Sequence, residues 1–212
     1  KATCGSVNAC HMTLAVAPTT SNFDKGGCQG CHFYTFHHDD NGVYRFLQGH
    51  MDGVDYVTGI EDPDWEQNPT VGHNKYQGFA GPVAGNETLE DTHSISSFCG
   101  GCHGVFHRET TGGDLNIGVA SPWLRHPSDI LLPNTGEYAG YDPSTVAGYS
   151  AEAPVAWTDP DATNRSTAVV MCLSCHRVHG SDQPDLLRWD YTTMEVGAGG
   201  TGGCFTCHTS NS

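Results

Sequence analysis

Positive charge is scarce in this chain: three lysines and six arginines stand against twenty-four aspartates and glutamates, a formal charge of −15 over 212 residues. Nucleic acid is excluded as a partner on that ground, because phosphate binding needs a clustered cationic footprint. Long apolar runs are missing too. The longest candidates are as short as Leu14-Ala15-Val16-Ala17 and Ala168-Val169-Val170-Met171, against roughly eighteen residues for a membrane span, so no span is expected. The chain opens at Lys1 with no basic segment, apolar core or cleavage site, and the expectation is that any export signal has been removed or never existed. Aliphatic residues are few as well. Leu, Ile, Val and Phe fill 37 positions, about 17%, which with this charge is ordinarily the composition of a disordered chain.

What the chain does have is ten cysteines, thirteen histidines and twenty-seven glycines. Eight of the cysteines fall in C-x-x-C-H: Cys28-Gln-Gly-Cys31-His32, Cys99-Gly-Gly-Cys102-His103, Cys172-Leu-Ser-Cys175-His176 and Cys204-Phe-Thr-Cys207-His208. At this composition the pattern is expected on the order of 0.03 times per chain, and its reading is c-type haem attachment. The spacing has a chemical reason. Two thiols separated by two residues reach both vinyl groups of one porphyrin, and the next residue offers its imidazole to the iron from the same side. Zinc ribbons also use C-x-x-C pairs but have no use for a histidine after every second cysteine, and a redox dithiol needs a single pair in a βαβ setting. The expected cofactor is therefore haem c, covalently attached, four per chain, with His32, His103, His176 and His208 as proximal iron ligands.

Only four methionines occur, against nine histidines outside the motifs, so histidine is expected at the second axial position of every iron. That choice lowers the potential and leaves no open site for a substrate. His179 follows His176 by three residues and His107 follows His103 by four. If those stretches are helical, each pair shares one face and cannot straddle a single iron, so the two must serve different haems. The same logic makes His37 or His38, after His32, a candidate distal ligand. His126 and His73, in the long intervals between motifs, are candidates to loop back and close an iron. His11, His50 and His93 are weaker candidates for the same role, since exposed histidines are common in loops.

Cys4 and Cys10 remain. Haem attachment takes place outside the cytoplasm, where a small disulfide between them is the plain reading; a widened C-x5-C-H ending at His11 and holding a fifth haem is the alternative. The stretch Asp39 to Glu66, with eight acidic residues and four glycines, reads as a long acidic loop. The expected fold class is mostly irregular, with short helices around the motifs and few strands: a single multihaem cytochrome c domain over 1–212 organised around a chain of four haems, with an N-terminal arm 1–27 and a haem-binding region 28–208. Arg45, Arg125, Arg177 and Arg188 are placed to pair with haem propionates.

Phe98-Cys-Gly-Gly-Cys-His-Gly-Val-Phe-His107, Ser121-Pro-Trp-Leu-Arg-His-Pro-Ser128, Cys172-Leu-Ser-Cys-His-Arg-Val-His-Gly180, Pro184-Asp-Leu-Leu-Arg-Trp-Asp-Tyr191 and Gly203-Cys-Phe-Thr-Cys-His208 resemble the doubled C-x-x-C-H multihaem cytochromes of metal-reducing microbes. Within that group they are most similar to the tetrahaem OmcE-type subunits of extracellular cytochrome filaments. The resemblance implies secretion, bis-histidine haems in stacked and perpendicular pairs, and subunits joined end to end as a homo-polymer. It also implies one iron that takes a histidine from the neighbouring subunit, looked for at His37 or His38, with His11 as outsider. The function it implies is electron transfer, without catalysis, from redox partner cytochromes to extracellular acceptors such as metal oxides. A soluble periplasmic shuttle is the alternative, and a multihaem reductase, which would need an iron with an open face, is a third.

Overall fold

The computed structural model describes residues 43–48, 56–64, 66, 72–80, 89–100 and 126–211. The arm 1–27 with Cys4 and Cys10, the first motif, Cys102, His103, His107, His37 and His38 lie outside the described residues. Within them, regular structure comes in short pieces joined by turns. Strands β1 (Val43–Gln48) and β2 (Tyr56–Ile60) pair antiparallel, and β2 pairs in turn with β3 (Lys75–Tyr76). These strands replace the acidic loop expected over Asp39–Glu66. Every acid of that stretch falls outside the strands. Val43-Tyr-Arg-Phe-Leu-Gln and Tyr56-Val-Thr-Gly-Ile carry the aromatic and β-branched residues that suit a half-buried pleated surface.

Two short helices follow, α1 (Leu89–Thr92) and α2 (Ile95–Gly100), the second ending where Gly100 and Gly101 interrupt helical propensity. A second antiparallel sheet is ordered β4 (Ile130–Leu131), β6 (Ala168–Val170), β5 (Ala156–Trp157). Just before β6, Asn164 accepts a hydrogen bond from the Ser166 amide, 2.9 Å, and caps the 3-10 turn Arg165–Thr167. Helix α3 (Cys172–Cys175) starts directly after β6, and the last 3-10 turn, Gly203–Thr206, leads into the fourth motif.

The pleat of the second sheet divides the core in two. Ala156 and Val169 face a cluster with Val57, Leu89, Ile95 and Met171, whereas Trp157, Ala168 and Val170 face Leu132, Tyr141 and Val155. Alternation along a strand sends successive side chains to opposite faces, so a run as apolar as Ala168-Val-Val is what a strand covered on both sides requires. The sheets meet where Gln77 bridges Trp157 in parallel, with the Gly78 amide donating to the Trp157 carbonyl at 2.8 Å.

That junction has no room for a side chain. A Cβ on Gly78 would lie 2.9 Å from Val169 Cβ and 3.0 Å from Ala156 Cβ. Gly78→Ala is expected to destabilise the haem-loaded protein by roughly 1–3 kcal/mol, the usual cost of overpacking. Its denaturation midpoint should fall accordingly; an unchanged midpoint would show that the sheets do not pack here.

Candidate functional site

The third and fourth motifs are built alike. In each, one turn of helix carries the two cysteines, and the histidine amide donates back to the carbonyl of the first cysteine: His176 to Cys172 at 3.1 Å, His208 to Cys204 at 3.0 Å. Positions i, i+3 and i+4 of a helical turn share one face. The two thiols, at i and i+3, are thereby set on one side, as attachment to one porphyrin demands, while the histidine that follows is tied to the turn by its amide bond to the first cysteine. The second motif starts differently, with Cys99 in the last turn of α2 and not at the start of a new turn.

Packing then draws the attachment points together. Cys172 stands in hydrogen-bonding contact with Cys99, Ser96 and Ser128, which together hold its thiol below the usual cysteine range against the opposing effect of burial. Its backbone amide also donates to Ser96 Oγ, 3.3 Å. Cys175 is pushed up to about 12, by burial first and then by Cys204, Cys207 and Cys172 nearby. Burial likewise raises Cys204 and raises Cys207 to about 11. A redox dithiol needs a depressed, exposed thiolate, and the fourth motif has the opposite character. None of the described cysteines is in a disulfide. Among the described residues no three Cys, His, Asp or Glu side chains converge as a metal cage would need, so no tetrahedral zinc site is formed there.

The histidines show a common device. Metal-ligating histidines nearly always commit their second ring nitrogen to a carboxylate or carbonyl, which fixes the ring and its tautomer. His208 Nδ1 lies 3.0 Å from Glu137 Oε2, His176 Nδ1 2.9 Å from the Asp185 carbonyl, and His126 Nδ1 2.9 Å from the Pro127 carbonyl. In all three, Nε2 is the nitrogen left to hold a metal. Glu137 is itself tied down, its carboxylate accepting from Asn211 Nδ2 and its carbonyl accepting from the Thr209 amide at 2.8 Å. The hydrogen bond from its partner, His208, is the main reason its carboxyl sits below the ordinary range.

The rings of His126 and His208 lie with centroids 6.3 Å apart and planes at 87°. A metal–nitrogen bond of about 2.0–2.1 Å plus about 1.1 Å from nitrogen to ring centre, doubled, gives roughly 6.2–6.4 Å for two imidazoles on one iron. The separation of 6.3 Å falls in that range, so His126 and His208 are residues that would hold one iron between them. Crowding of the His126 ring by protein, opposed by its bond to Pro127 and reinforced by His208, lowers its pKa. That shift favours the neutral ring, the form that would hold a metal.

His73 presents a second fit. Its ring stacks on Tyr149 at 3.5 Å and 13°, and its Nε2 is buried with no hydrogen-bond partner, beside a cavity of about 350 Å³ also lined by Trp157, Lys75 and Asp62. Burial, then Lys75, lowers its pKa against the pull of Asp62. An orphaned buried imidazole nitrogen is costly unless something ligates it. Haem is therefore compatible with the donors present: paired thiols on helical turns, rings with one nitrogen fixed, and an unsatisfied imidazole.

One expected relation does not hold. His176 and His179 do not share a helical face, because α3 stops at Cys175 and His176 is extended (φ −115°, ψ 147°) in an antiparallel bridge with Leu187. The amides of Arg177 and Arg188 donate to Leu186 and Cys175 carbonyls at 2.8 and 2.9 Å, and this pairing pulls the chain out of the helix. His179 lies exposed in the turn that follows. Arg188, expected at a propionate, directs Nε to the Leu173 carbonyl at 2.6 Å and one terminal nitrogen to Ala151 at 3.1 Å.

Two acids were not visible as site residues. Glu137 stands far from any motif in the chain. Asp129 is 1% exposed, accepting from Ser94 Oγ at 2.7 Å and the Phe79 amide at 3.2 Å. It lies near enough to Cys172 to raise that thiol. Burial raises the Asp129 carboxyl to about 6, although Ser94, Phe79 and Ser96 hydrogen-bond its ionised form. A folded-state pKa above the unfolded value means that the native state holds this proton more tightly. The resulting stability is complete below about pH 4 and is lost as pH rises to about 6, by about 2–3 kcal/mol. Asp129→Asn should remove that slope. Denaturant midpoints of the haem-loaded wild type and variant, taken from pH 4 to pH 7, are expected to diverge; parallel curves would contradict the buried-acid account.

Among the described residues no helix is long and apolar enough to cross a membrane. No curated protein and no solved structure matches the chain. Residues 166–212 match the family model for the doubled CXXCH motif. That span takes in both C-terminal motifs, and the match supports placing the chain among the multihaem c-type cytochromes, which bind haem c covalently and take part in electron transfer.

Proposed function

We propose that the chain is an exported tetrahaem electron conduit whose subunits join end to end into an extracellular filament that delivers electrons to external acceptors. The observation that carries the conduit is the His126–His208 pair, held at the separation of two axial ligands with both Nδ1 atoms engaged. An iron ligated on both faces offers no place for a substrate, which favours electron transfer over catalysis. The haem supplies reversible one-electron chemistry. Cys28 and Cys31, Cys99 and Cys102, Cys172 and Cys175, and Cys204 and Cys207 anchor it; His32, His103, His176 and His208 ligate from the near side. On the far side His126 serves the site of His208, and His73, His107, His179, His38 and His37 are the further candidates, one of them for a neighbouring subunit.

The contact of Cys99 with Cys172, and the nearness of Cys175 to Cys204 and Cys207, set three attachment points in succession. That contiguity supports a chain of porphyrins close enough for electron hopping. The likeness of residues 28–208 to filament subunits supports assembly. Haem counting by intact mass should give four per chain, and the ferric spectrum should be wholly low-spin. Micrographs of native preparations should show fibres. A five-coordinate iron would overturn the conduit in favour of an enzyme, and monodisperse particles alone would overturn the filament.

A further inference from the structure

Among the described residues Asp129 is the one carboxylate inside the fold, and neither haem attachment nor iron ligation uses it. Three donors converge on it: Ser94 Oγ at 2.7 Å, the Phe79 amide at 3.2 Å and the Ser96 hydroxyl. Beyond Ser94 the hydroxyls continue. Thr92 Oγ1 donates to Ser94 Oγ at 3.4 Å and to Ser97 Oγ at 2.7 Å, and all four hydroxyl residues are buried. Ser96 also ties the acid to the third motif. Its Oγ accepts from the Cys172 amide at 3.3 Å, so one hydroxyl stands between the carboxylate and a residue that anchors a porphyrin.

A packing role does not call for a carboxylate here. Each of these bonds is one that Asp129 accepts; an asparagine oxygen accepts such bonds without burying a charge, and asparagine tolerates the left-handed backbone, φ +52°, as readily. What aspartate adds is a proton that can be taken up and released. Resting on the reading that the third motif carries a redox-active haem, we infer that Asp129 is a proton site coupled to that haem: it takes one proton from solvent as one electron arrives from a neighbouring haem or redox partner, carboxylate becoming carboxylic acid, and returns the proton as the electron leaves. The arriving negative charge disfavours the ionised carboxylate across an interior that screens poorly, and proton uptake cancels it. Burial already raises the carboxyl to about 6, so the coupled range starts near that pH and extends upward.

The other titratable groups on the elements packed around Asp129 are accounted for. Cys99 on α2 and Cys172 and Cys175 on α3 do not titrate once tied as thioethers, and β4 and β6 carry none. His126, three residues before Asp129, turns Nδ1 to the Pro127 carbonyl, and His93, just before Ser94, has Nδ1 3.0 Å from the Tyr56 carbonyl. On β3, Lys75 lines the cavity at His73 and the Tyr76 hydroxyl accepts from Asn74.

The test is a redox titration of the purified, haem-loaded protein between about pH 5 and pH 9, read with the infrared difference between reduced and oxidised states. In the wild type, one component should move to lower potential as pH rises above about 6, approaching a tenfold change in its reduction equilibrium per pH unit, about 59 mV for one electron. A protonated-carboxyl band should appear on reduction. In Asp129→Asn that component should lose the slope and the band should vanish, while any slope from haem propionates stays in both proteins. Equal slopes in the two proteins, or a band that survives the substitution, overturns the coupling. Ser96→Ala covers the case in which Asp129→Asn does not load haem: it keeps the acid and removes a donor to its ionised form, so the sloping range should move to higher pH, and an unmoved range overturns the coupling. Peptide mapping that finds no haem on Cys172 and Cys175 would instead overturn the reading beneath, so the two failures are distinct.

Discussion

Replacing His126 with alanine is expected to convert the haem at Cys204 and Cys207, and no other, from six-coordinate low-spin to five-coordinate high-spin iron. The pair distance of 6.3 Å leaves room for one metal between the rings. Each ring is braced from behind, by Pro127 on one side and by Glu137 on the other, so the surviving histidine has no freedom to be replaced by a neighbour without breaking its own support. His126→Met is the stronger test, since thioether in place of imidazole favours the reduced iron. The potential of that haem should rise by on the order of 0.1 V, a modest part of the ~0.8 V that axial ligands span. Spectroelectrochemistry of the intact protein reads both effects: one component of the titration moves and the rest stay. Glu137→Gln keeps the iron six-coordinate but weakens the electron donation of His208, so it should move the same component upward by less. A titration in which His126→Met leaves every component in place would separate His126 from iron.

The attachment chemistry was legible because it is local: five consecutive residues hold two thiols and an imidazole, and one helical turn is enough to aim them, as α3 and the 3-10 turn Gly203–Thr206 do. Ligand pairing was not, since it depends on which distant segments meet. His126 could be marked as a candidate, but its partner is 82 residues away, brought close by the β4–β6 pairing and by the turn Gly136–Tyr138 against Thr209. Glu137 has no sequence signal at all, being one acid among twenty-four. His93 ranks low among the candidates in the sequence because its contacts with Tyr56 and Leu89 are made only by the fold. The strands of the acidic stretch were hidden by a composition dominated by their flanks. The helical reading of His176–His179 failed for the same underlying reason: Leu187 offers a backbone partner that local propensity cannot anticipate.

The same chain produced without haem should show no cooperative thermal unfolding. Its described helices are of four to six residues, and its second sheet is built from strands of two or three. Isolated helices below about 12–15 residues are marginal in water, and such strands persist only when packed. Among the described residues the packing is thin, two clusters of six buried residues on either side of one sheet, while the chain as a whole devotes only about 17% of its residues to Leu, Ile, Val and Phe. Covalent porphyrin changes both sides of the balance. It would add apolar surface that the chain lacks, and the proposed His126–iron–His208 link would close a length of chain whose closure, by the disulfide analogy, restricts the unfolded state by about 4–5 kcal/mol. One such link is comparable to the whole net stability of a small domain, about 5–15 kcal/mol. Haem-free protein, whether made without the attachment machinery or with all eight motif cysteines changed to alanine, should therefore lack a thermal transition by circular dichroism and should be digested rapidly by protease. A sharp transition in that material would mean that the aliphatic clusters suffice alone. Removing only the fourth site, by Cys204→Ala with Cys207→Ala, gives the graded version: the remaining haems still fold the chain, with a lower melting temperature, because a single long-range clamp has gone.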